Sequence, residues 1–105
     1  MGLKTTNYTT KGTNMFLPEA YAVLRNLIIE RDSSARAIFA IQKNRENAND
    51  SEPLEKVEIR FTWDRKTDPA KMAYAYAKTE IKQTDGENGI NTELGSLYGW
   101  QDDIL

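Results

Sequence analysis

The chain predicts an α+β fold: an antiparallel meander of three to four strands, with one helix at about residues 68–83 packed on one face. Three observations carry that expectation. Leu54 to Asp64 alternates apolar and polar residues, so that Val57, Ile59, Phe61 and Trp63 share one side, as in a strand with one buried face. Ala35 to Lys43 alternates in the same way, with Ala35, Ala37, Phe39 and Ile41 on one side. Asp68-Pro69 then opens a segment in which Ala70, Ala73, Tyr74, Ala77 and Ile81 recur at helical spacing.

The elements follow in order. Residues 1–13 are rich in Thr, Asn, Lys and Gly and suit either an edge strand (Lys4 to Thr10) or a loose arm. Asn14-Met15-Phe16-Leu17 is a short apolar entry to the next segment. Pro18 to Arg31 supports two readings. With helical period, Ala20, Val23, Leu24, Leu27 and Ile28 share a face, and Pro18 suits a first turn. With period two, Tyr21, Val23, Leu27 and Ile29 share a face, broken by Arg25. Asp32-Ser33-Ser34 reads as a hairpin turn. Residues 44–53 are polar and form a loop, expected to be the most mobile internal segment.

After the strand ending at Asp64, Arg65-Lys66-Thr67 turns the chain. Asp68 is a good N-cap and Pro69 fits the first helical position. The helix should run to about Gln83, where Thr84-Asp85-Gly86 stops it. Its apolar stripe, flanked by Met72 and Tyr76, should cover Val57, Ile59, Phe61, Phe39 and Ile41. Residues 87–95 form a connector, and 96–105 a final short strand or docked extended segment. With 105 residues, 39 % apolar and 29 % charged, the sequence reads as a single domain over 1–105, with a loose arm at 1–13 and a flexible segment at 84–105.

Several chemistries are excluded by composition. The chain has no cysteine and no histidine, so it holds no disulfide, no thiolate nucleophile, no Cys/His zinc site and no Ser-His-Asp triad. A net charge of −2 gives no global attraction to nucleic acid or anionic lipid. No apolar run approaches the ~20 residues of a membrane span. Residues 1–10 show no hydrophobic signal region. Gly2 with Thr6 fits the loose N-myristoylation pattern, but nothing polybasic supports it.

The remaining clusters each have a plain structural reading. Glu52, Glu55, Glu58 and Asp64 could act as paired carboxylates, but Arg60 lies between the last two, as on a solvated strand face. Asp102-Asp103 with Glu93 lacks the ligand alternation of a calcium loop. Gly86 and Gly89 fit no phosphate-binding spacing. Arg36, Lys43, Arg45, Lys56, Arg60, Arg65 and Lys66, with Trp63 or Tyr74 as stacking platforms, could line a nucleic-acid face, but acids accompany each basic cluster. Tyr74, Tyr76, Tyr98 and Trp100 read first as core packing by the helix and the C-terminal segment; an interface is the functional use that composition best supports. Tyr76, Tyr98 and Trp100 are the candidate interaction surface. An unpaired sheet edge at residues 4–10 offers a second route to partners.

The order of these motifs resembles small tail- and baseplate-region proteins of tailed phages and prophages of Gram-positive bacteria. The resemblance covers roughly residues 18–82, with a looser match at the tail. It rests on Ala20-Tyr21, an alternating strand ending at Arg45-Glu46, Pro53-Leu54, Phe61, Asp64, Asp68-Pro69, Ala73-Tyr74 and Lys78-Thr79, with a tail of Tyr98-Gly99-Trp100-Gln101-Asp102-Asp103. It implies strands across residues 19–44, which tips Pro18 to Arg31 away from helix. It also implies a phage setting: synthesis in the host cytoplasm and a place in the virion tail. It brings no catalytic residues.

The functional expectation is a non-enzymatic structural or assembly module of a phage tail or baseplate. Its partners would be other phage structural proteins, with self-association, and neither nucleic acid nor membrane. No cofactor is expected. The alternative is a carbohydrate-binding module that recognises host cell-wall polysaccharide through Tyr76, Tyr98 and Trp100. A third reading is a metal-dependent enzyme using the acidic tail.

Overall fold

The computed structural model describes residues 2–10, 13–48, 52–79, 81–83, 92–94 and 97–103. The fold is α+β, a five-stranded antiparallel sheet with one helix against it. Strands β1 (Gly2–Thr9), β2 (Phe16–Ile29), β3 (Ser34–Gln42) and β4 (Glu55–Thr62) form a meander of sequential neighbours. Helix α1 (Pro69–Thr79) follows. Strands β5 (Ile81–Gln83) and β6 (Thr92–Leu94) pair as a separate two-stranded sheet, and β7 (Gln101–Asp103) adds to the main sheet beside β1.

Residues 1–13 were expected as an edge strand or a loose arm; among the described residues β1 is an edge strand over Thr5 to Thr9, and only its start is covered on both sides. It pairs with β2 from Leu3 to Thr9 and with β7 from Gly2 to Lys4. Over Gly2 to Lys4 the outer strand is therefore β7, which the chain supplies only at its far end. Within β1, Asn7 takes a left-handed conformation (φ 56). That break in alternation lets Leu3 and Tyr8 both pack against the core.

Strand β2 settles the ambiguous segment. A bulge between Leu24 and Asn26 shifts its register against β3. Before the bulge Ala22 and Leu24 oppose Ile41 and Phe39; after it Leu27 and Ile29 oppose Ala37 and Ala35. The strict period-two face is corrected accordingly. Tyr21 and Val23 lie on the sheet face opposite Leu27 and Ile29, because one extra residue inverts the alternation. The β2–β3 turn is the expected one, with Asp32 Oδ1 accepting from the Ser34 amide at 3.0 Å.

Strand β4 follows its sequence pattern. Val57, Ile59 and Phe61 are buried, and Lys56, Glu58, Arg60 and Thr62 are exposed. Asp64 then organises the turn, accepting from the Lys66 and Thr67 amides and from the Thr67 hydroxyl, each at 2.8 Å. Asp68 caps α1 through the Ala70 amide at 3.1 Å. The helix buries Ala73, Tyr74 and Ala77 over the core face of β4 and β2. Phe39, Ile41, Val57, Ile59, Leu97 and Trp100 lie in the same apolar cluster.

The expected end of the helix needs correction. The helix ends at Thr79 rather than near Gln83, because residues 81–83 pair with 92–94 instead. The Gly99 amide donates to the Lys78 carbonyl at 2.9 Å, so a distant turn occupies the helix end. The expected stop at Thr84-Asp85-Gly86 and most of the connector lie outside the described residues. The 44–53 loop is ordered locally at its start. It holds a 3-10 turn at Arg45–Asn47 capped by Asn44, the Ala48 carbonyl accepts from Arg25 Nη2 at 2.9 Å, and Ala48 is buried. Residues 49–51 lie outside the described part.

Candidate functional site

The three aromatics expected on one surface part company. Trp100 is only 5 % exposed. Its ring meets Tyr8 edge-on at 5.2 Å and 74°, a favourable aromatic geometry. A tight turn places it there: the Trp100 amide donates to the Leu97 carbonyl at 3.2 Å, and Gly99 adopts φ 80. Its place in the candidate interaction surface is thus corrected, because the residue is buried in the core cluster.

Tyr98 remains outward at 43 % exposure, on the turn that abuts the end of α1. Tyr76 is 44 % exposed and lies on the helix. Its ring stacks on Phe61 at 5.4 Å and 19°, so one face is spent and the other is open. Phe61 is on β4, which places this tyrosine on the core side of the strand at the end of the sheet.

The opposite sheet face carries a cleft of about 510 Å³, whose charged and phenolic lining includes Lys4, Glu19, Tyr21, Arg45 and Asp103. The register assembles it: Lys4 lies opposite Tyr21 and Gly2 opposite Asp103. Gly2 is required there, because a side chain at that position would collide with the end of the Tyr21 ring. Arg45 Nε lies 3.0 Å from Asp103 Oδ2, close enough for an ion pair but not aligned for a hydrogen bond. Burial, then the hydrogen bond and negative charge of Asp103, push the Tyr21 phenol above its ordinary pKa. The phenol is therefore neutral around pH 7 and is a donor rather than a base. Two cations and two carboxylates share the cleft, so it carries no strong bias toward ligands of either sign.

Sequence reading missed this cleft, since Gly2, Tyr21, Arg45 and Asp103 come from distant stretches and share no motif. The nearest signal was Tyr21, whose phase against its neighbours becomes clear only once the bulge is known.

The acidic and basic candidates disperse. Successive residues of β7 point to opposite faces, so Asp102 pairs with Lys78 Nζ at 2.8 Å while Asp103 turns to Arg45. Among the described residues, no three carboxylates converge as a metal site. Arg65 binds the Arg31 carbonyl and the Ser33 hydroxyl. Trp63 is half-buried and donates its indole N–H to the Thr67 carbonyl at 2.7 Å; Tyr74 is buried. Tyr74 therefore offers no stacking platform, while Trp63 packs in part against the core. Arg36, Glu58 and Arg60 form an exposed group on the β3–β4 surface, with Glu58 shared at 3.5 and 3.4 Å.

Compared with known protein families, curated proteins and solved structures, the chain matches none.

Proposed function

We propose that this chain is a non-enzymatic structural or assembly module that works through protein–protein contacts, in the phage tail or baseplate setting its motif order resembles. The observation that carries this reading is the Tyr76–Phe61 stack, which leaves one open aromatic face beside an outer strand. Tyrosines so placed offer large, rigid contact area with a polar tip. Asp64, Asp102 and Arg65, for their part, serve turns and an ion pair that hold the fold.

Native mass spectrometry and light scattering, alone and with co-expressed tail proteins, test the reading. Discrete complexes are expected. A protein that stays monomeric at high concentration and binds none of those partners overturns it. The wall-polysaccharide alternative retains Tyr76 and Tyr98 but loses Trp100 to the core.

A further inference from the structure

We propose that β4 is the contact with a second copy of this chain, the two strands pairing antiparallel about a two-fold axis at Ile59. This names a partner for the assembly reading above and rests on it. Among the described residues β4 ends the sheet, with β3 on one side only. In an antiparallel ladder alternate residues bond to the neighbour. The Trp63 amide donates to the Ser33 carbonyl at 2.8 Å, which turns the odd-numbered residues of β4 toward β3. The amides and carbonyls of Lys56, Glu58, Arg60 and Thr62 therefore face outward. An eight-residue outer strand of this kind is a template for another strand.

The side chains select both the partner and the register. About an axis at Ile59, Glu58 opposes Arg60 of the second copy, and Arg60 opposes its Glu58. Lys56 opposes Thr62. A slip of two residues either way opposes Glu58 to Glu58 or Arg60 to Arg60, and like charges directly opposite are unfavourable. On the core side Val57 meets Phe61 and Ile59 meets Ile59, so the buried row of β4 continues into the second copy. Tyr76, stacked on Phe61 with its other face open, flanks that seam. The contact is isologous and closes as a dimer rather than a fibre.

Sedimentation over a concentration series tests this on the intact chain, with circular dichroism to verify folding. The wild-type protein should dimerise. Arg60→Glu opposes two carboxylates and should weaken the dimer at least about tenfold, while Glu58→Arg with Arg60→Glu restores opposite signs and should recover it. The chain has no cysteine, so a Lys56→Cys, Thr62→Cys variant gives an independent readout. The two positions lie roughly 20 Å apart along one strand, so they cannot bridge within one copy, and mild oxidation should yield a covalent dimer in which peptide mapping joins position 56 of one copy to position 62 of the other. A wild-type monomer, a dimer indifferent to Arg60→Glu, or a cysteine variant that does not cross-link overturns the proposal. A dimer that ignores Arg60→Glu, or a monomer that still binds tail proteins, removes the β4 contact and leaves the assembly reading standing.

Discussion

The hydroxyl of Tyr74 accepts a hydrogen bond from the Leu24 amide at 2.9 Å, where the β2 bulge begins. The helix thus supplies a partner to backbone that the irregular ladder does not fully use. The same ring packs edge-on against Phe39 at 5.1 Å and 80°, on the strand opposite the bulge. One side chain therefore ties α1, β2 and β3 together.

Tyr74→Phe keeps the ring packing and removes the acceptor. A buried donor left without its partner costs about 1–3 kcal/mol. Thermal unfolding followed by circular dichroism should show a loss in that range. An unchanged melting temperature would show that the Leu24 amide finds another acceptor.

Gly99 has a positive φ, yet a Cβ there would meet open space. The cost of Gly99→Ala is therefore conformational rather than steric, about 1–2 kcal/mol. The variant should also loosen the Trp100 turn, seen as a red shift in tryptophan emission. A melting curve and emission spectrum identical to wild type would contradict this account.

Gly2→Ala acts by collision instead. The added methyl meets the end of the Tyr21 ring and should displace the phenol from Asp103. Overpacking of this kind costs about 1–3 kcal/mol. In an ultraviolet alkaline titration, the Tyr21 midpoint should fall back toward the ordinary tyrosine value. If the titration curve does not move, Tyr21 is not held by the Gly2 contact.

Acid should weaken the β4–α1 turn. Hydrogen bonds from the Thr67 amide first, then the Lys66 amide, hold the Asp64 carboxyl below the ordinary aspartate value. Its folded-state pKa is depressed, so its contribution is present above the unfolded pKa of about 3.9 and is lost as pH falls through the folded value. Asp32 behaves with the same sign, through its bond from Ser34. Asp64→Asn should flatten the fall in stability below that pH. Chemical denaturation at a series of acidic pH values measures it; parallel pH profiles would exclude Asp64 as a contributor.

Much of this architecture is local, and local signals suffice for it. The alternation of Val57, Ile59 and Phe61 marked β4 and its buried side, since a strand with one solvent face imposes period two. Asp68-Pro69 marked the start of α1, since capping chemistry acts within one turn. Asp32-Ser33-Ser34 marked the β2–β3 hairpin for the same reason.

Only the tertiary structure could decide the rest. The end of α1 at Thr79 depends on Gly99, and on Ile81 to Gln83 pairing with Thr92 to Leu94. The covering of Gly2 to Lys4 on both sides depends on β7, at the far end of the sequence. Trp100 stood as both a core and a surface candidate, because composition cannot show that Tyr8 receives it. The cleft formed by Gly2, Tyr21, Arg45 and Asp103 was invisible for a like reason. The sequence by itself determined the α+β class, the β4 strand and the capped helix start, because each depends on residues a few positions apart. Which aromatics stay exposed, which carboxylates find cations and where the sheet ends are set by long-range pairing, which chain order alone does not specify.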